Sequence, residues 1–280
     1  MLDNETLEQT EQLATMLRDT RNESTREHPL RNSHLKAMQR SALHARHAVL
    51  TDSEPSLAMR VGSGVHSLLL GGPPLVLYPG KVRRGKEYEA FVAAQPDGAL
   101  IMTGADYDRS HRIADSVRND KLATDVLFRP GSVYEKTIFF DQNGRARRCT
   151  PDVRSASHLV ELKSTRDASP EKFTRDAIRM GYHCQLADYG NAIFQTTGVF
   201  PDDVFIVAVE QHAPFGVSVH RLTARALEMG ERLVRTWLEQ FMACEASDQW
   251  PGYSQSVVEF DIDEPEEFVF DDDQQEEKAS

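Results

Sequence analysis

Asp152, Glu161 and Lys163 are the residues whose types and spacing could do chemistry. They lie within residues 149–165, which read Cys-Thr-Pro-Asp-Val-Arg, a short polar gap, then His-Leu-Val-Glu-Leu-Lys-Ser-Thr. The second half alternates, so Leu159, Glu161 and Lys163 share one face of a strand and Val160 and Leu162 the other. A carboxylate and a lysine held side by side among apolar neighbours are costly in a sheet unless something uses them. If a neighbouring strand brings Asp152 beside Glu161, the pair offers hard oxygen ligands to Mg²⁺ or Mn²⁺, with Lys163 next to them. Three loosely spaced residues fit a plain strand with a surface salt bridge equally well, so the surrounding chain has to decide.

The elements that would position these residues can be read along the chain. Residues 33–49 form a helical pattern, capped by Ser33 or Asn32, with Leu35, Met38, Ala42, Leu43 and Ala45 on its apolar stripe. Its other face carries Arg31, Lys36, Arg40 and Arg46 with His34, His44 and His47, suited to phosphates or to water. A loop at 51–55 leads to a second helix at 57–70, where Gly62, Ser63 and Gly64 thin one face for close packing and His66 follows. Residues 71–79 read as a Pro/Gly turn, and Lys81, Arg83, Arg84 and Lys86 as a basic run; 87–94 and 106–123 read as helices. A strand at 132–140 is joined by the hairpin signal Asn143-Gly144 to a strand from Arg145, which Asp152 ends, and 161–163 belongs to the next strand of that sheet. Ser169-Pro170-Glu171 starts a helix running to about Met180. A further helix after Gly181 places Gln185 and Tyr189 on one face. Strands at 204–209 and 216–222 and a long closing helix at 223–244 complete the order.

Composition narrows the class. With 280 residues, 40% of them hydrophobic, the chain can bury one sizeable core. No apolar run approaches a membrane span, and the opening residues lack a signal-peptide pattern. Three scattered cysteines without Cys-x-x-Cys exclude zinc-ribbon and iron–sulfur spacing and suit a reducing, cytoplasmic setting. The net charge of −12 is unevenly spread: from Glu259 on, eleven of the 44 acids meet one of the 32 basic residues, leaving 33 acids against 31 bases before it. The body is therefore nearly neutral, and the overall charge does not argue against a nucleic-acid substrate. Three segments follow: a polar extension at 1–30, in which Leu7, Leu13, Met16 and Leu17 hint at a short helix; a domain at 31–253; and an acidic tail at 254–280 that reads as solubilising disorder.

Pro151-Asp152 followed by Glu161-Leu162-Lys163 resembles the PD-(D/E)xK nuclease signature. The element order resembles the restriction-endonuclease-like fold, an α/β (α+β) architecture with a mixed central sheet flanked by helices. Further motifs resemble those of its exonuclease branch: Gly62-Ser63-Gly64-Val65-His66, Ser132-Val133-Tyr134-Glu135, Ser164-Thr165, and Gly181-Tyr182-His183 with Gln185 and Tyr189. The chain is most similar in these to the RecE-type exonucleases (exonuclease VIII), relatives of lambda-type exonuclease and of RecB and AddB nuclease domains.

The resemblance implies a metal-dependent exodeoxyribonuclease that resects linear double-stranded DNA 5′ to 3′ and leaves 3′ single-stranded tails for recombination. Asp152, Glu161, the Leu162 carbonyl, His66 and Glu135 would hold Mg²⁺, with Mn²⁺ as a substitute. Lys163 would position or deprotonate the attacking water. Gln185 and Tyr189 would orient the substrate strand or the lysine, and Arg40, Arg46, Arg147, Arg148 and Arg154 are candidates for phosphate contacts. Also implied are DNA ends as substrate, a ring-shaped homo-oligomer, a single-strand annealing partner and a prophage setting. The alternatives are a nuclease-fold protein that only binds DNA or a partner, and an endonuclease or repair nuclease with the same site.

Overall fold

A computed structural model describes residues 24–51, 57–80, 82–155, 157–254 and 256–261. The expected N-terminal helix around Leu7–Leu17, most of the loop at 51–55 and the acidic tail beyond 261 lie outside the described residues. In chain order the labelled elements begin with α1 (Asn32–Lys36), α2 (Ala42–Leu50), α3 (Leu57–His66), β1 (Leu75–Leu77), α4 (Lys86–Ala93), β2 (Leu100–Met102), α5 (Gly104–Asn119) and α6 (Lys121–Leu127). They continue with β3 (Val133–Tyr134), β4 (Ile138–Gln142), β5 (Arg145–Cys149), β6 (Val153–Arg154), β7 (His158–Thr165) and α7 (Pro170–Arg179). The last are α8 (Tyr182–Thr197), β8 (Asp203–Glu210), β9 (Val217–Arg221) and α9 (Ala224–Ser247).

The central sheet runs β3-β6-β7-β8-β9, with β7 and β8 parallel and the other pairs antiparallel. A parallel pair needs a crossover, and α7 with α8 supplies it. Because β7 is covered on both faces, its alternation sorts into two cores. Val160 and Leu162 pack with Val207 and Val209 against α3, α5 and α6. Leu159 packs on the opposite side with Ile206, Ala208, Leu186 and Ile193. Glu161 and Lys163 share that second face, so they look toward α8. A third cluster joins Leu35, Ala45 and Val49 to Trp237, Leu238 and Phe241, fastening α1 and α2 onto the closing helix.

Several elements depart from their sequence pattern. The single helix expected at 33–49 is two: Ser41 adopts an extended backbone and caps α2 through the His44 N–H, and Arg31, not Ser33 or Asn32, precedes α1 as its cap. The strand expected at 132–140 is split between two sheets, with Glu135 at the break. The Asn143-Gly144 turn forms with both residues at positive φ, 57° and 80°, as a two-residue hairpin demands, but the β4–β5 hairpin is a sheet of its own. Asp152 therefore does not end the hairpin's second strand within the central sheet; it sits in the link between β5 and β6. The helix at 57–70 changes after His66 to a π-helical turn over Ser67–Gly71, and the helix at 106–123 divides at Asp120, whose carboxylate accepts the Ala123 N–H at 2.8 Å. The turn at 71–79 contains β1, which pairs with β2 in a small parallel sheet; two three-residue strands are too short to leave a periodic signal. Ser169 stands at the start of α7 without a side-chain cap.

The expectation of thin, close packing is met at Gly64, where a Cβ would lie 2.6 Å from Met102 Cε and 2.8 Å from Ser110 Oγ. Those neighbours belong to β2 and α5; at Gly62 a Cβ would lie 3.5 Å from Ser164 Oγ, so the same helix also meets β7 of the central sheet. Among the described residues no helix is long and apolar enough to cross a membrane.

Candidate active site and metal centre

The site forms where the middle of β7 meets the end of α3 and the β3–β4 break. Asp152 Oδ2 accepts the Leu162 N–H at 2.7 Å, tying the carboxylate to the centre of β7. Its carbonyl in turn accepts the Glu135 N–H at 3.0 Å. Glu135 has φ 45°, in the left-handed region that residues other than glycine rarely adopt. That turn directs its Oε1 to within 3.2 Å of His66 Nδ1. Asp152 Oδ1 lies 3.5 Å from the same nitrogen, and His66 Nε2 faces the Leu162 carbonyl at 3.2 Å.

Glu161, only 3% exposed, points across to α8. Its Oε1 accepts from Lys163 Nζ and from Gln185 Nε2, each at 2.6 Å. Gln185 Nε2 also donates to the Tyr189 hydroxyl at 3.0 Å. Both helical residues singled out in the sequence thus reach the β7 acid, directly or through one bond. Glu161 Oε2 is buried without a hydrogen-bond partner.

The electrostatics follow from burial and crowded charge. Burial disfavours a charged His66, but the Asp152 carboxylate, the hydrogen bond to Glu135 and the nearby Glu161 outweigh it and hold its pKa up at about 9. Burial first, and Glu161 second, push Asp152 up to about 7. Lys163 is held above its ordinary value: burial opposes its charge, and Glu161 and Asp152 more than offset that. Burial also keeps the Tyr189 phenol protonated. The imidazolium of His66 therefore makes the same contacts that a cation would make with Glu135, Asp152 and the Leu162 carbonyl.

The donor set suits a divalent ion. Among the described residues, His66, Glu135 and Asp152 each offer a ligand atom, all within 4.8 Å of one another. Two carboxylates and an imidazole beside a main-chain carbonyl match a hard or borderline cation. A buried carboxylate oxygen without a partner, as at Glu161 Oε2, is costly unless a cation meets it. Of the five expected ligands, His66, Glu135 and Asp152 are gathered and the Leu162 carbonyl adjoins them; Glu161 Oε1 is taken up by Lys163 and Gln185.

Two clefts flank this cluster. One, of about 720 Å³, is lined by His66, Glu135, Lys163, Ser164, Tyr182 and Gln211 among others. The other, of about 500 Å³, is lined by Arg31, Lys36, Arg148, Tyr182, Gln185 and Tyr189 among others. Met180 and Tyr182 belong to both and form the ridge between them. Three cations and no acid line the second cleft.

The proposed phosphate-contacting arginines do not behave alike. Arg148 lines the cationic cleft, Arg40 donates to the exposed Tyr253 hydroxyl at 2.8 Å, and Arg46 lies over the Trp250 ring at 5.9 Å. Arg154 is among the lining residues of neither cleft. Arg147 is fully buried and binds both carboxylate oxygens of Asp188 at 2.7 and 2.8 Å, so it is a bolt between β5 and α8 and not a phosphate contact. His34 leaves the basic face as well: it is buried, and its ring bonds to Arg31 Nε at 3.0 Å. Gln211, which donates to Ser164 Oγ at 3.1 Å, and Met180 were not signalled by any motif; only the parallel pairing of β7 with β8 and the α7–α8 junction bring them in.

The sequence profile of a family described as a PDDEXK-like domain of unknown function matches residues 32–260. A crystal structure of a candidate exonuclease from Eubacterium rectale shares the fold, with a TM-score of 0.61 and 15% identity over 84% of this chain and 91% of that chain. No curated protein matches the chain at a significant level.

Proposed function

Because the chain belongs to the PDDEXK-like domain family, we propose that it is a divalent-metal-dependent nuclease that hydrolyses DNA phosphodiesters at the Asp152–Glu161–Lys163 cluster. The observation that carries this is the convergence of His66, Glu135 and Asp152 on one point beside a buried, partly unsatisfied Glu161. His66, Glu135, Asp152 and the Leu162 carbonyl would hold the ion, with Glu161 Oε2 as a further oxygen. A bound Mg²⁺ or Mn²⁺ supplies Lewis-acid polarisation of the scissile phosphate. Lys163, its Nζ fixed 2.6 Å from Glu161, holds the attacking water and offsets negative charge as the phosphorus centre becomes five-coordinate. Gln185 fixes Glu161 from the helix side and leaves the lysine the acid's other contact. Arg31, Lys36 and Arg148 neutralise backbone phosphates in the neighbouring cleft.

The finer reading is an exonuclease that resects linear double-stranded DNA 5′ to 3′ as an oligomer, leaving 3′ tails for a strand-annealing partner. It is supported by the resemblance of His66, Ser132-x-x-Glu135 and Gln185-x-x-x-Tyr189 to the exonuclease branch. The test is digestion of linear duplex, labelled separately at each 5′ end and internally, against closed-circular DNA, with Mg²⁺ or Mn²⁺, for the wild type and Lys163→Ala. Mononucleotides released from linear DNA alone, and lost in the variant, are the expected result. Cleavage of the circle would make the protein an endonuclease, and DNA binding without metal-dependent cleavage of either form would make it a binding module.

A further inference from the structure

Tyr182 is the wall shared by both clefts, yet none of the roles above uses it. Its ring faces Lys163, whose Nζ lies 4.9 Å from the ring centroid. The buried Phe173 ring sits 6.3 Å from that of Tyr182 at an angle of 35°, and Phe173 is itself packed on His220 at 4.7 Å. The placement of Tyr182 depends on Gly181, which takes the left-handed conformation at φ 68° between α7 and α8 and so starts α8 with Tyr182 against β7.

A lysine reaches its ammonium through four rotatable bonds, and one contact does not fix it. Glu161 Oε1 sets one direction for Nζ, along the hydrogen bond. The aromatic face sets a second, because the ring's negative quadrupole draws the ammonium over its centre. The Lys163 side chain also lines the open cleft, being 21% exposed.

We propose that Tyr182 is a positioning residue for Lys163: its ring, and not its hydroxyl, holds the ammonium at the junction of the two clefts. The proposal rests on the nuclease reading for its kinetic consequence and on geometry alone for the placement.

The experiment uses the full chain with Tyr182→Phe and Tyr182→Leu, after both variants are shown to melt cooperatively. Steady-state cleavage of linear duplex with Mn²⁺ is expected to lose about 10–100-fold in kcat for Tyr182→Leu with KM nearly unchanged, as a small misplacement of a reacting group does. Tyr182→Phe should restore most of it. In the metal-free protein, the Lys163 ε-methylene signal in a proton–carbon correlation spectrum, assigned by its loss in Lys163→Arg, should be shifted upfield by the ring, kept in the Phe variant and lost in the Leu variant. Equal loss of activity in both variants, or a rise in KM at constant kcat for Tyr182→Leu, would overturn the proposal. So would an unshifted ε-methylene, which is read whether or not the wild type cleaves DNA; absence of cleavage with the shift present would instead count against the nuclease reading.

Discussion

At the scale of single residues, one carboxylate serves two neighbours. Glu161 Oε1 is shared by Lys163 and Gln185, while Oε2 is buried without a hydrogen-bond partner and is the oxygen proposed to meet the ion. Glu161→Gln keeps the shape and removes the charge, so Mn²⁺ affinity measured by calorimetry should fall by at least about tenfold, as ligand-sphere substitutions do; Arg154→Ala, outside both clefts, should leave it unchanged. A second prediction concerns His34, buried beside Arg31 and held down to about 3, first by burial and then by the Arg31 charge. The unfolded chain protonates this histidine near pH 6.5 and the folded chain does not, so stability is complete above pH 6.5 and declines as pH falls toward 3. At pH 5 the loss from this group is about 2 kcal/mol. The stability gap between wild type and His34→Gln in urea unfolding should narrow by that amount between pH 7 and pH 5.

Elements carry these residues only because specific contacts fix their relative positions. The Arg147–Asp188 pair, fully buried on both sides, joins β5 to the helix that bears Gln185 and Tyr189. Removing one partner leaves a buried charge without compensation, so Arg147→Met should cost about 3–5 kcal/mol in urea unfolding, and the double variant Arg147→Met/Asp188→Leu should recover most of it. If Arg147 instead contacted DNA, the single variant would weaken binding without lowering stability. The pattern of Gln185 and Tyr189 at i and i+4 was legible because a helix places such residues together. The split at Glu135 was not legible: a run of alternating residues reads as one strand, and nothing local announces that Asp152 will hold the Glu135 backbone and turn its side chain toward His66.

For the molecule as a whole, charge is arranged by region. The nearly neutral body contains a cleft lined by Arg31, Lys36 and Arg148 next to a carboxylate cluster. DNA binding there should be strongly salt-dependent. With Lys163→Ala in the background to prevent cleavage, Lys36→Ala and Arg148→Ala should each weaken duplex binding across sequences and reduce the slope of log affinity against log salt by about one, as read by fluorescence anisotropy. Arg154→Ala should leave the slope in place. Equal slopes for all four proteins would move the DNA path away from this cleft.

The sequence by itself determined the order of elements, the carboxylate–lysine strand and the helical residues facing it, because alternation, helical spacing and turn chemistry are local and survive in one dimension; the class of fold followed from the resemblance of that order and its motifs to a known family. It named His66, Glu135, Asp152 and Glu161 together through motif resemblance. Only the tertiary structure decided how they divide the work: Asp152 outside the hairpin and bonded to Leu162, Glu161 turned to Lys163 and Gln185, Arg147 buried on Asp188, and Tyr182 set against the lysine. Those outcomes depend on which strands become neighbours and which side chains lose their water, and both are properties of long-range packing.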